Sequence, residues 1–229
     1  VDAETDSVEA LGAVLETQPG VREVALSSEP LNHAEHSFGL ADEPFAVDVV
    51  SSDLAYAGHV WDVRADTFDY NGRHVKRQYV DHTGAVAVVA LDDAGRVLLI
   101  QQYRHPIRER EWELPAGLLD VPGESLIDSA RRELAEEADI EASTWEPLIS
   151  MHTSPGGSDE IVHVFLAGDL RPTADPHERE AEEADIRVAW MPLADAIAAV
   201  MRGQMRNGIL IAGLLAAAEK LRHAPRTSR

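Results

Sequence analysis

A chain of 229 residues, 45% hydrophobic and 27% charged, has the composition of a folded protein with room for one substantial core. Twenty basic side chains against 41 acidic ones leave a formal charge of −21, which repels nucleic acid and anionic membrane surfaces alike. The absence of cysteine excludes a disulfide framework, a thiolate nucleophile and cysteine-ligated metal, and the longest apolar run, Gly208 to Ala218, is too short to cross a bilayer.

Residues 1–45 hold ten acidic side chains against Arg22 alone and form an acidic extension, expected to be mobile, with amphipathic character only at Val8 to Glu16 and Val21 to Leu26. No basic-then-apolar start marks a secretory leader, so a cytoplasmic location is expected. Residues 46–82 read as a small β-meander. Strands are expected at Ala46 to Val50, Val60 to Phe68 and His74 to Val80, the last two joined at Asn71-Gly72, a strong hairpin signal. The main domain is expected over 83–224, with a short tail at 225–229. In it Ala85 to Leu91 and Arg96 to Tyr103 flank the turn Asp92-Asp93-Ala94-Gly95 and read as a hairpin at the sheet centre.

Between Leu114 and Glu124 the residues Pro115, Gly117, Pro122 and Gly123 call for a loop. Ser125 to Ala138 then has helical periodicity, with Leu126, Ile127, Ala130 and Leu134 on the apolar face and Ser125 with Asp128 as a capping-box variant. Glu146 to Met151 and Ile161 to Ala167 are strands around the loop Ser154-Pro155-Gly156-Gly157-Ser158. Arg187 to Met191 is the last strand, and Leu193 to Met201 and Gly208 to Arg222 close the chain as helices.

Glu133, Glu136 and Glu137 stand at i, i+3 and i+4 and share a helix face. Taken alone, such carboxylates beside Arg131 and Arg132 also describe a solvated, charge-balanced face. The surrounding pattern is longer: Gly117, six residues, Glu124, seven residues, then Arg132-Glu133-Leu134-Ala135-Glu136-Glu137-Ala138-Asp139-Ile140. It resembles the Nudix box, with one extra residue in the first spacer and Asp139 where that family has glycine. The resemblance implies an α/β fold, an α/β/α sandwich with a mixed sheet, and a divalent cation, Mg2+ with Mn2+ as a substitute. Glu133, Glu137 and the Ala116 carbonyl would be its ligands, Glu136 would assist, and Arg132 would orient the glutamates. Oxygen ligands suit a hard cation, which reverses the field that bare carboxylates present to a diphosphate.

Thr153 to Glu160, with Pro155 fifteen residues beyond Ile140, is similar to the ADP-ribose pyrophosphatase subgroup, as is the strand end Gln101-Gln102-Tyr103-Arg104. That resemblance implies hydrolysis of ADP-ribose to AMP and ribose 5-phosphate. It places Arg104 on a phosphate and Trp61, Arg77 and Glu160 in a substrate site completed across a homodimer. It also seeks a general base in the acidic run Glu178, Glu180, Glu182, Glu183, Asp185, with Glu183 first and Glu182 second. Local sequence alone leaves other roles open: Arg104 paired with Glu109, Glu111 or Glu113, Trp61 in a core, Arg77 on the surface, Pro155 in a tight turn. Another nucleotide sugar or dinucleotide as substrate, or a module that senses ADP-ribose without cleaving it, are the competing functions.

Overall fold

The segment Ala85 to Ala90 reads Ala-Val-Ala-Val-Val-Ala, apolar at every position, so a strand formed from it needs cover on both faces. The computed structural model, which describes residues 45–174, 179 and 184–223, supplies that cover. The chain divides into two compact units, Val1–Ala46 and Val47–Arg229, and the elements below belong to the second. The expectations for residues 1–44 and for the tail lie outside the described residues.

Strands β1 (Val49–Tyr56), β2 (Asp62–Tyr70) and β3 (Arg73–Asp81) form an antiparallel meander in that order. Asn71 and Gly72 both adopt positive φ, 51° and 72°, as the two-residue hairpin turn requires. The first strand begins three residues later than expected and includes Ser51, Ser52 and Asp53, polar residues that an open sheet edge tolerates.

The central sheet is four-stranded and mixed, in the order β7 (Ala116–Leu118), β4 (Ala85–Ala90), β9 (Ile161–Pro172), β8 (Ile140–His152), with β4 and β9 parallel. A second, antiparallel sheet runs β10 (Arg187–Pro192), β5 (Arg96–Arg104), β6 (Glu109–Glu113). Alternate residues sort the core into two layers. Val86, Val88 and Ala90, with Leu98, Ile100 and Phe165, pack under α1 (Leu126–Ala138) through Ala130, Leu134 and Ala138. Ala85, Ala87 and Val89, with Leu99, Val162 and Val164, pack under α2 (Leu193–Met201) and α3 (Gly208–His223) through Ala196, Leu210 and Leu214. The architecture is the expected α/β/α sandwich. Among the described residues no helix is long and apolar enough to cross a membrane.

Two expectations are corrected. The β4–β5 pair is not a hairpin at the sheet centre: beyond the turn only the Leu91–Val97 bridge and the Asp92–Arg96 contacts join them. Both edges of β4 are taken, by β7 and β9, so β5 has no open edge there and pairs instead with β10 and β6. The stretch from Leu114 to Glu124 is not all loop either, because Ala116–Leu118 forms β7 against Ala85–Ala87. Pro115 precedes that strand, where its missing N–H costs no ladder bond, and its carbonyl accepts from Val88 N at 2.9 Å.

Gly213 on α3 is enclosed: a Cβ there would meet Leu114 Cδ1 at 2.7 Å and Val89 Cγ2 at 3.1 Å. Replacing Gly213 with valine is expected to cost about 1–3 kcal/mol by overpacking. Urea unfolding should show a lower midpoint with an unchanged slope.

Candidate active site

Helix α1 starts where its sequence asks. Ser125 is the N-cap, its Oγ accepting from Asp128 N at 3.3 Å and donating to Asp128 Oδ2 at 2.7 Å. The helix ends at Asp139 in the left-handed conformation, φ 54° and ψ 35°, with its N–H donating to Ala135 O at 3.0 Å. Those two ends set the rotation of α1, so that Leu134 faces the core while Glu133 and Glu137, both largely buried, face β7.

Glu137 Oε2 accepts from Ala116 N at 2.8 Å. The Glu133 carboxyl lies so close to Gly117 that a Cβ built on that glycine would sit 2.0 Å from it. Ala116 and Gly117 thus form a backbone cradle against which two carboxylates rest. Arg132 closes the other side: Nη1 donates to Glu133 Oε1 at 2.6 Å and Glu136 Oε2 at 3.0 Å, and Nε and Nη2 grip Glu124 at 3.2 and 3.1 Å. The guanidinium pKa is raised, first by Glu124, and the Glu124 carboxyl is held below the usual carboxylate range by Arg132 and then by Ser129 Oγ, 2.5 Å away.

The three helix glutamates do not meet at one point. Among the described residues no three His, Asp or Glu side chains converge as a ready-made metal shell, because Glu136 is turned toward Arg132 while Glu137 reaches Ala116. The donor set nonetheless fits a divalent cation: Glu133 and Glu137 are oxygen donors, and the side-chain-free Gly117 leaves the Glu133 carboxyl room against the backbone.

Beside the cradle is a cavity of about 520 Å³, lined by Trp61, His82, Arg104, Glu113, Ala116, Gly117 and Glu160 among others. Trp61 and Glu160, expected from a second subunit, line the cavity of their own chain. The Trp61 ring stacks on His82 with centroids 5.2 Å apart and planes at 24°, and the residue remains 45% exposed. His82 Nδ1 accepts from Gly84 N at 2.9 Å, so its proton is on Nε2, 3.4 Å from Glu160 Oε1; Thr153 Oγ1 donates to the other Glu160 oxygen. Arg104 makes a two-pronged pair with buried Glu113, 2.8 and 2.6 Å, one of the partners its sequence allowed. Arg77 is not brought to the cavity; it lies on β3 opposite Asp66, with Nη1 donating to Lys76 O. Pro155 does not line it either. It occupies the turn closed by Gly157 N to Ser154 O, 2.9 Å, and that turn docks on β3 through Val80 N to Gly157 O, 2.9 Å. Glu182 and Glu183 lie outside the described residues. His82 is the cavity residue that sequence reasoning missed; a lone histidine between two strands gives no motif to find it by.

The NUDIX domain family model matches residues 81–211, more than half of the chain. The chain belongs to the Nudix family. It is 45% identical over 184 residues to the ADP-ribose pyrophosphatase of Mycobacterium tuberculosis, spanning 80% of this chain and 84% of that one. It is also 36% identical over 149 residues to the ADP-ribose pyrophosphatase of Bacillus subtilis, covering 65% and 80% of the two chains. A crystal structure of an ADP compounds hydrolase superposes with a TM-score of 0.68 at 20% identity, over 82% of this chain and 100% of that one, which shows the shared fold. The Nudix box of this chain is therefore the β7–α1 unit, and its glycine is the wall of the cradle.

Replacing Gly117 with alanine drives a methyl into the space of the Glu133 carboxyl. Since a displacement of about 1 Å can cost about 100-fold, the variant should fold with near wild-type Tm and lose turnover on that scale. The acid side is equally specific. A depressed Glu124 pKa contributes stability above the unfolded value, 4.5, and loses it as pH falls through the lower folded value. The Tm gap between wild type and Arg132→Gln should therefore narrow as pH falls from about 5 to about 3.

Proposed function

We propose that this Nudix protein hydrolyses the diphosphate bridge of ADP-ribose, releasing AMP and ribose 5-phosphate. The observation that carries the reading is the pairing of a Nudix box that keeps all its glutamates with an adjoining cavity whose open walls are an indole face, an arginine and a carboxylate, in a chain 45% identical to an ADP-ribose pyrophosphatase. Trp61 offers its free face to the adenine ring, stacking of this kind being worth about 0.5–1.5 kcal/mol beyond area burial. Arg104 meets the diphosphate at the edge where Glu113 holds it. Glu160, oriented by Thr153 and His82, accepts hydrogen bonds from ribose hydroxyls or the base. Arg77 of a second subunit adds a cation to the phosphates.

Mg2+, or Mn2+ in its place, would be held by Glu133, Glu137 and the Ala116 carbonyl with help from Glu136, and supplies charge neutralisation and Lewis acidity at the diphosphate. Arg132 orients the glutamates. Glu183, or Glu182 beside it, takes a proton of the attacking water; the water oxygen bonds one phosphorus as that phosphorus loses its bond to the bridging oxygen, which stays on the leaving phosphate ester. A cytoplasmic setting suits such a substrate.

The protein acts as a homodimer in this reading. Val49, Val50, Leu54, Tyr56 and Val60 are each more than half exposed on the β1–β3 meander and its continuation, an apolar surface that a second copy would cover. The relatives also include a GDP-mannose pyrophosphatase of Yersinia enterocolitica at 32% identity, so the rival substrate class is another nucleotide sugar.

AMP release from ADP-ribose, ADP-glucose, GDP-mannose and NADH, with Mg2+ and then with chelator, tests the proposal. Preference for ADP-ribose and loss on chelation are expected; binding of ADP-ribose without cleavage under any divalent metal would replace the enzyme with a sensor. Glu137→Gln should reduce turnover by at least about 100-fold with the fold retained, and sedimentation of the wild type should give twice the mass of one 25.0 kDa chain.

A further inference from the structure

Trp61 immediately precedes β2 and Glu160 immediately precedes β9, so two walls of the cavity come from distant parts of the chain. One side chain meets both. His82, in the link between β3 and β4, lies outside the box, and its side chain is only 7% exposed. Gly84, at φ 85°, brings its N–H to Nδ1 at 2.9 Å, which leaves Nε2 as the donor facing Glu160 Oε1 at 3.4 Å. The Trp61 indole covers a face of the same ring, centroids 5.2 Å apart. Thr153 Oγ1 donates to the second Glu160 oxygen, so that carboxylate is steered from both of its oxygens.

The backbone ties the same parts together. His82 N donates to Asp159 Oδ1 at 2.8 Å and Val80 N to Gly157 O at 2.9 Å, which fastens the β3–β4 link to the loop that carries Glu160. On the Trp61 side, Gly58 N donates to Asp62 Oδ1 at 3.1 Å, and a Cβ on Gly58 would overlap Trp61 O at 1.8 Å, so the connection that delivers the indole is tightly closed. An indole left unsupported samples several rotamers, and ordering it on binding costs affinity. One already seated on a buried imidazole is spared most of that cost. The imidazole is seated in turn by Glu160, so removing either wall loosens the other.

We propose that His82 is a positioning residue that couples Trp61 to Glu160, so that the stacking wall and the carboxylate wall bind substrate as one unit. The inference rests on the reading that both side chains bind ADP-ribose. Neither wall belongs to the box helix, so the loss of His82 falls on KM and leaves kcat alone.

Two substitutions divide the ring's contacts. His82→Gln removes the ring and keeps an N–H donor toward Glu160, whereas His82→Phe keeps a ring against Trp61 and removes both nitrogens. With full-length protein, Mg2+ and ADP-ribose, each should raise KM about three- to ten-fold with kcat within about two-fold. In the wild-type background, Trp61→Ala combined with Glu160→Gln should fall short of the product of the two single losses by about three-fold or more. With His82→Gln added, the two losses should become independent. A merely structural role for His82 would leave that coupling unchanged. Additive Trp61 and Glu160 losses in the wild-type background overturn the proposal even if the His82 variants fail to fold, and so does an unaltered KM or a matching fall in kcat in both His82 variants. AMP affinity, measured by calorimetry with chelator, is followed in the same variants. Wild type that binds AMP but leaves ADP-ribose intact overturns the hydrolase reading, and the cycle in AMP affinity then decides the coupling by itself. Unchanged AMP affinity and KM in Trp61→Ala and Glu160→Gln overturn the binding roles and the coupling together.

Discussion

Arg132 is the charge on which the rest of the site depends. Its guanidinium bonds Glu124, Glu133 and Glu136 at once, in a protein whose formal charge is −21. Two like charges 4 Å apart repel by about 4 kcal/mol at an effective dielectric of 20, so neighbouring carboxylates on one helix face would drift apart without a resident cation. Arginine suits the task better than lysine because it stays charged at any accessible pH and its planar fork serves several acceptors at fixed angles. The Gly117 cradle, the Ala116 bond to Glu137 and the fixed end of α1 act on glutamates that Arg132 already holds in place.

The parts legible in sequence were those set by local rules. The N-cap at Ser125 and the tight turn at Asn71-Gly72 each follow from the conformational preference of one or two residues, and both are found. The two faces of the sandwich are also local in origin, since alternation along β4 assigns every second residue to α1 or to α2 and α3. The structure rests Glu137 on Ala116 N and Glu133 against Gly117, and lines one cavity with Trp61, Arg104 and Glu160, of which the resemblance had assigned Trp61 and Glu160 to a site completed by a second subunit.

What escaped was non-local. A strand's partners depend on which edges are already filled, and nothing in Ala85–Tyr103 reveals that β7 and β9 occupy both edges of β4 and send β5 to another sheet. Three-residue β7 and charged β6 carry too little pattern to announce a strand; both exist because a neighbour offers them a ladder. His82 was invisible for a related reason. Its role comes from Trp61 above, Gly84 beside and Glu160 across, three contacts that only the folded chain assembles.

The parallel pairing of β4 with β9 has a consequence in time. Ala85 lies opposite Val162, so the innermost ladder of the molecule closes a loop that contains β5, β6, β7, α1 and β8. Closing so distant a contact is entropically slow, and it cannot begin before β9 has left the ribosome. The nascent chain must therefore carry α1, with its cluster of acidic side chains and its apolar face, through a period in which the sheet meant to receive it is incomplete. In that interval the same negative charge that Arg132 must later reconcile keeps one unfinished chain away from the next, so net acidity protects the protein during synthesis as well as in its folded state.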